Sequence, residues 1–130
     1  MPKVKALDHL VLTVSDIETS LEFYGRLGMT HQEFAGADGA LRHALTFGCQ
    51  KINLHAKDHP ISPHARTPMP GAADLCLISY EPLSSWVTHL SAVGLGIELG
   101  PVDRTGATGP LRSIHVRDPD GNLIEIAEQV

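Results

Sequence analysis

Aromatic residues make up only 5% of this 130-residue chain, and cysteine occurs twice. Cys49 and Cys76 lack C-x-x-C spacing, so neither a disulfide framework nor a zinc knuckle is indicated. Both lie among apolar residues and are expected as buried free thiols in a reducing compartment. An excess of basic charge is also missing. Ten Lys and Arg stand against fifteen Asp and Glu, a net charge of −5 with histidine neutral. The basic residues are scattered, so a phosphate backbone is not an expected partner. No apolar stretch approaches the roughly 20 residues of a membrane span. The start, Met1-Pro2-Lys3-Val4-Lys5, carries no apolar signal region, and a cytoplasmic location is the expectation. What the chain does have is 42% apolar and 19% charged residues, an ordinary globular balance at one-domain length. Its unusual feature is eight histidines, an enrichment that raises metal binding without establishing it.

The hydrophobic pattern runs through twice. Residues 6–14 alternate, with His9, Val11 and Thr13 on one face and Leu10, Leu12 and Val14 on the other. Ser15 and Asp16 offer N-caps to a predicted helix with the stripe Ile17, Leu21, Tyr24 and Leu27, stopped by Gly28. Strands are predicted near Thr30–Phe34, Leu41–Phe47 and Lys51–Ala56, with turns at Gly36–Gly39 and Gly48. Residues 57–71 hold Pro60, Pro63, Pro68 and Pro70, show no period, and read as a linker. The pattern then restarts with a predicted strand at Ala73–Ser79. Glu81-Pro82 opens a helix with the stripe Leu83, Trp86 or Val87, Leu90 and Val93, ended by Gly94. Further strands are predicted at Ile97–Leu99, Leu111–Val116 and Leu123–Ala127, the last two joined by Asp118-Pro119-Asp120-Gly121. Arg104 to Pro110 reads as a flexible loop with Gly106 and Gly109 as possible hinges. The predicted class is therefore α+β, as two βαβββ modules in one domain. Module one covers about 4–56 and module two about 72–130. Overlaying the halves sets Gly28 on Gly94, His9 on Asp74, and Asn53 on Glu125.

Three segments carry a resemblance. They are Leu7-Asp8-His9-Leu10-Val11-Leu12, Phe23-Tyr24 with Leu27-Gly28, and Asp118-Pro119-Asp120-Gly121-Asn122-Leu123-Ile124-Glu125. With them the chain resembles the vicinal-oxygen-chelate superfamily of glyoxalase I, extradiol dioxygenases, fosfomycin-resistance thiol transferases and bleomycin-binding proteins. Gln50-Lys51-Ile52-Asn53-Leu54-His55 and Gly100 to Ala107 are similar to the glyoxalase-domain-containing protein 5 and lactoylglutathione-lyase-like virulence group. The resemblance implies two curled sheets around a metal cavity, a divalent ion (Ni, Zn, Mn, Co or Fe), a small-molecule substrate and a homodimer.

It also implies the ligand set His9, His55, Asp74 and Glu125, with Glu125 as possible base. Asp74 stands where relatives carry His or Gln, and reads either as a hard ligand or as an acid orienting His9. Asn53 aligns with Glu125 but cannot be a base, whereas His55, two residues on, is the better donor by chemistry. Which of the two faces the metal stays open here. Asn53, Arg104 and His115 are the remaining pocket candidates. His31, His43, His59, His64 and His89 are expected as surface or linker residues. The first functional expectation is a metal-dependent lyase or isomerase like glyoxalase I. Beside it stand an Fe(II) extradiol dioxygenase, a fosfomycin-type thiol transferase and a metal-free drug-binding protein.

Overall fold

In the computed structural model, which describes residues 1–130, the alternation of the first strand sorts its side chains as predicted. β1 (His9–Val14) buries Leu12 and Val14 and leaves His9 and Val11 exposed. Asp16 then caps α1 (Ile17–Arg26). Its carboxylate accepts the Thr19 N–H at 2.9 Å and the Thr19 hydroxyl, and these bonds hold the carboxyl below its usual value. The buried face of α1 is Ser20, Phe23, Tyr24 and the C-cap Leu27, with the Phe23 and Tyr24 rings edge-on at 5.0 Å. Phe23 thus lies at the centre of a stripe that the 3.6-residue period placed on Ile17 and Leu21, both only half-buried.

The helix ends at Gly28, whose φ of 87° no side-chain-bearing residue adopts easily. The Met29 N–H reaches back to the Tyr24 carbonyl at 3.1 Å and the Gly28 N–H to that of Gly25 at 3.0 Å, a paired closure of the last turn. β2 (Thr30–Ala35), β3 (Leu41–Phe47) and β4 (Gln50–Ala56) complete a sheet in the order β1-β4-β3-β2. β1 and β4 are parallel and the other pairs antiparallel.

Module two repeats this plan. β5 (Asp74–Ile78), α2 (Leu83–Ala92), β6 (Leu99–Thr105), β7 (Pro110–Arg117) and β8 (Leu123–Gln129) give the sheet order β5-β8-β7-β6. Gly94, with φ 74°, closes α2 as Gly28 closes α1, through Leu95 N–H to the Leu90 carbonyl at 2.9 Å. The start of α2 differs. Pro82 offers no side-chain cap, and the Leu83 N–H is met instead by the Glu128 carboxylate at 3.3 Å. Trp86 is the inward residue, donating its indole N–H to the Ser79 hydroxyl, and Val87 is exposed.

Two expectations fail in module two. β6 is Leu99–Thr105 rather than Ile97–Leu99. Its ladder with β7 shifts register between Leu99 and Val102, and the polar run Asp103-Arg104-Thr105 on a sheet edge hides its period. Consequently the predicted flexible loop shrinks to residues 106–109, pinned by Gly106 N–H to the Gly109 carbonyl at 2.8 Å. A Cβ on Gly106 would lie 2.8 Å from that carbonyl and from Leu111, so close approach rather than hinging demands glycine. The two cysteines are free and stand at exposed positions, contrary to the buried expectation, although the Cys76 thiol is partly shielded from solvent. The chain divides into units Met1–Pro70 and Gly71–Val130.

Candidate functional site

Module one presents a polar row on the sheet face opposite its buried leucines. The parallel register sets His9 beside Lys51, Val11 beside Asn53 and Thr13 beside His55. His9 is exposed, and its Nδ1 lies 2.8 Å from Oδ1 of Asp8. That pairing leaves Nε2 as the free nitrogen, the arrangement in which imidazoles bind metals. Asp8 therefore does what was considered for Asp74, holding the His9 ring. Asn53 sits between Val11 and Ala44 in the sheet, neither of which offers a side-chain donor. Its Oδ1 is buried without a hydrogen bond, an unmatched acceptor that a cation or donor would satisfy.

His55 has a different setting. With Val11, Thr13, Pro63, His64, Ala65 and Pro68 it lines a cavity of about 330 Å³. Burial first, then the positive charges of Arg42 and His64, hold its imidazole below the ordinary value. His55 lies four residues beyond the level of His9, about 13 Å along the strands. Asn53 lies two residues from that level, about 7 Å, and is the nearer of the two candidates. His64, an exposed linker residue as expected, thus also lines this cavity.

Module two carries the carboxylate. Glu125 on β8 stands directly beside Cys76 on β5 and His115 on β7. The Cys76 thiol donates to the Glu125 carboxylate, and burial together with that negative charge pushes the thiol up to about 11. His115 is buried, its Nε2 3.4 Å from Oε1 of Glu125, while its Nδ1 has no partner. The Ser113 hydroxyl, two residues earlier on β7, is likewise buried and unmatched. Asp74 is exposed two positions before Cys76, the same offset that separates His9 from the position opposite Asn53.

The turn before β8 sets this register. The buried Asp118 carboxylate accepts the N–H groups of Asp120 and Asn122 at 2.9 Å and the Asn122 amide at 2.7 Å. Asn122 in turn accepts the Ala73 N–H at 2.8 Å, which ties the start of β5 to the start of β8.

Arg104 is not brought to this cluster. It faces Leu111, four residues from the His115 level or about 13 Å, and donates to the neighbouring Asp103 carbonyl at 3.0 Å. His31 and His43, expected as isolated surface residues, face each other with Nε2 and Nδ1 2.9 Å apart. Asp8 and Cys76 are the site residues missed as such in the sequence. Asp8 was visible as the neighbour of His9, but only folding could reveal Cys76 as the partner of Glu125.

The profile of the glyoxalase/bleomycin resistance protein/dioxygenase superfamily matches residues 6–126. The chain belongs to that superfamily. It is 49% identical over 128 residues to virulence protein STM3117 of Salmonella typhimurium strain LT2, covering 98% of this chain and 86% of that protein. The crystal structure of that protein superposes with a TM-score of 0.93, covering 99% of this chain and all of the other, at 48% identity. An integron cassette protein from the mobile metagenome of V. cholerae gives the same TM-score of 0.93 and 48% identity, over 100% of this chain and 99% of that one. The glyoxalase domain-containing protein RDO1 of Mycosarcoma maydis is 48% identical over 124 residues, 95% of this chain and 68% of that protein. The duplicated βαβββ plan and the two equivalent polar rows are thus features of a member of this superfamily.

Proposed function

We propose that the chain is a divalent-metal-dependent lyase or isomerase of the glyoxalase type, acting on a small substrate with two vicinal oxygens. The observation that carries this reading is Glu125, a mostly buried carboxylate flanked by Cys76 and His115 on strands that the Asp118 turn holds in register. The unmatched Asn53 oxygen and the Asp8-oriented His9 support it, because both suit a cation. Each module offers its own donors for an ion, His9 and Asn53 in module one and Asp74 and Glu125 in module two. Three of these four donate oxygen, which favours Mn²⁺ or Fe²⁺ over softer ions. Such an ion acts as a Lewis acid for negative charge developing on the substrate oxygens.

The chain's own residues do the rest. Glu125 accepts and returns the proton, and Asn53, an amide, leaves it as the one base of the aligned pair. Cys76 remains a thiol near neutral pH and acts as a donor that orients Glu125, not as a nucleophile. We also read the protein as a homodimer in the cytoplasm. Val11, Ile78 and Leu99 are large apolar residues left exposed on sheet strands, as a second copy would require. Light scattering that shows a monomer near 14.0 kDa at all concentrations would refute this.

A second reading, a metal-free small-molecule binder, draws on the cavity lined by Val11, Pro63 and Pro68. The test is metal analysis of tag-free protein purified without added metal, followed by isomerisation assays on thiohemiacetals. An ion whose uptake falls in His9→Ala, with turnover lost in Glu125→Gln, supports the lyase reading. Wild-type protein that binds no divalent ion and turns over nothing would sink it in favour of the binder.

A further inference from the structure

The β2–β3 hairpin carries a cluster that the proposed activity does not use. Glu33 lies directly opposite His43, and His31 is the diagonal neighbour on the same face. The imidazole nitrogens and the Glu33 carboxylate all fall within 4.8 Å of one another. The two ring centroids are 5.2 Å apart with 26° between the ring planes. Nε2 of His31 and Nδ1 of His43 are 2.9 Å apart, so one proton is shared between two lone pairs aimed at each other. Two nitrogens on one tetrahedral zinc ion sit about 3.3 Å apart, given Zn–N bonds of about 2.0–2.1 Å. Replacing the shared proton with the ion asks the rings to part by a few tenths of an ångström and to tilt until both lone pairs meet at the ion.

From this we propose that His31, Glu33 and His43 form a divalent transition-metal site, of the zinc or nickel class, on the edge of module one. Two neutral imidazoles and one carboxylate suit such borderline ions, and the remaining coordination positions stay open to water. The hairpin is preorganised for it. Gly36 N–H bonds the Ala40 carbonyl at 2.9 Å across the turn, and Arg42 clamps Asp38 at 2.8 and 2.9 Å. The site is distinct from the row of His9 and Asn53. Ala44 is the β3 residue beside Asn53, and its neighbour His43 therefore points to the opposite sheet face. A bound ion would join β2, an edge strand, to β3.

The test uses full-length, tag-free, chelator-treated protein and zinc alone, with a His9→Ala/Glu125→Gln variant to remove the donors of the proposed active site. That variant should still take up one equivalent of Zn²⁺, with amide resonance shifts confined to residues 30–35 and 41–47. Adding His43→Ala should abolish the equivalent. Glu33→Gln, a conservative change at an exposed position, should weaken it by more than the roughly 100-fold seen when an outer partner of a ligand is lost. The proposal is overturned if the His9→Ala/Glu125→Gln protein binds no zinc, or if His43→Ala leaves its affinity unchanged. Failure of the active-site reading is a separate result: wild-type protein would then turn over nothing and take up only this equivalent, and the His9→Ala/Glu125→Gln change would leave zinc uptake unaltered.

Discussion

Cys76 offers a direct probe of Glu125. Its thiol is pushed up to about 11 by burial and by the adjacent carboxylate. At pH 8 a thiol at that value is about 0.1% thiolate, against about a quarter for an ordinary thiol near 8.5, a deficit of roughly 240-fold. A thiolate of higher pKa is also the better nucleophile, which returns a factor of about 10 to 20. The net expectation is that Cys76 reacts with a disulfide reagent about 10- to 25-fold more slowly than a free thiol at pH 8.

The assay follows dithiodipyridine reaction in a Cys49→Ser background, where Cys76 is the sole thiol. Ionisation and access are separable, because poor access scales the whole rate curve whereas a raised pKa moves its midpoint. The log rate should still climb with unit slope at pH 9.5, where an ordinary thiol has levelled. Glu125→Gln removes the charge but leaves the burial, so the midpoint should fall part of the way towards the ordinary value. A divalent ion held by Glu125 should move it in the same direction. A wild-type midpoint near 8.5, or a midpoint unmoved by Glu125→Gln, would refute the placement of Glu125 beside Cys76.

Other perturbations test the frame and the cavity. Asp118→Ala strands two backbone N–H groups and the Asn122 amide, and should cost roughly 3 kcal/mol in urea unfolding. Gly100→Ala should cost about 2 kcal/mol or more, because its φ is 112° and the new Cβ would meet the Ser113 carbonyl oxygen at 2.5 Å. Leu90→Ala, at a fully buried position of α2, should lower stability by about 2–5 kcal/mol in the same measurement.

For His55 the native imidazole is held below its unfolded value near 6.5. Over the window from about 6.5 down to the native value, the unfolded chain binds the proton first. Wild-type stability is thus lost as pH falls through that window, and the loss stops below the native value. His55→Gln should remove this dependence, so the difference in urea midpoint between the two proteins should change between pH 7 and pH 5. An unchanged difference would show that the imidazole titrates alike in both states.

The duplicated architecture could be read from the chain because it rests on local rules. Period-2 alternation, an Asp cap before α1, and a glycine after each helix act over a few residues whatever lies beyond them. The Asp118-Pro119-Asp120-Gly121 turn was legible for the same reason, and so was the equivalence of His9 with Asp74 and of Asn53 with Glu125. β6 escaped because an edge strand with a bulge and a polar run has no period to detect. The site divides along a similar line. His9 and Glu125 were marked by their motifs, but their surroundings were set by pairings between residues far apart in the chain. Strand register placed Cys76 beside Glu125 and carried His55 about 13 Å past His9. It also turned two scattered histidines, His31 and His43, into neighbours. A one-residue slip of register moves every side chain to the other face of a sheet, so no neighbourhood across strands is contained in either strand's own sequence.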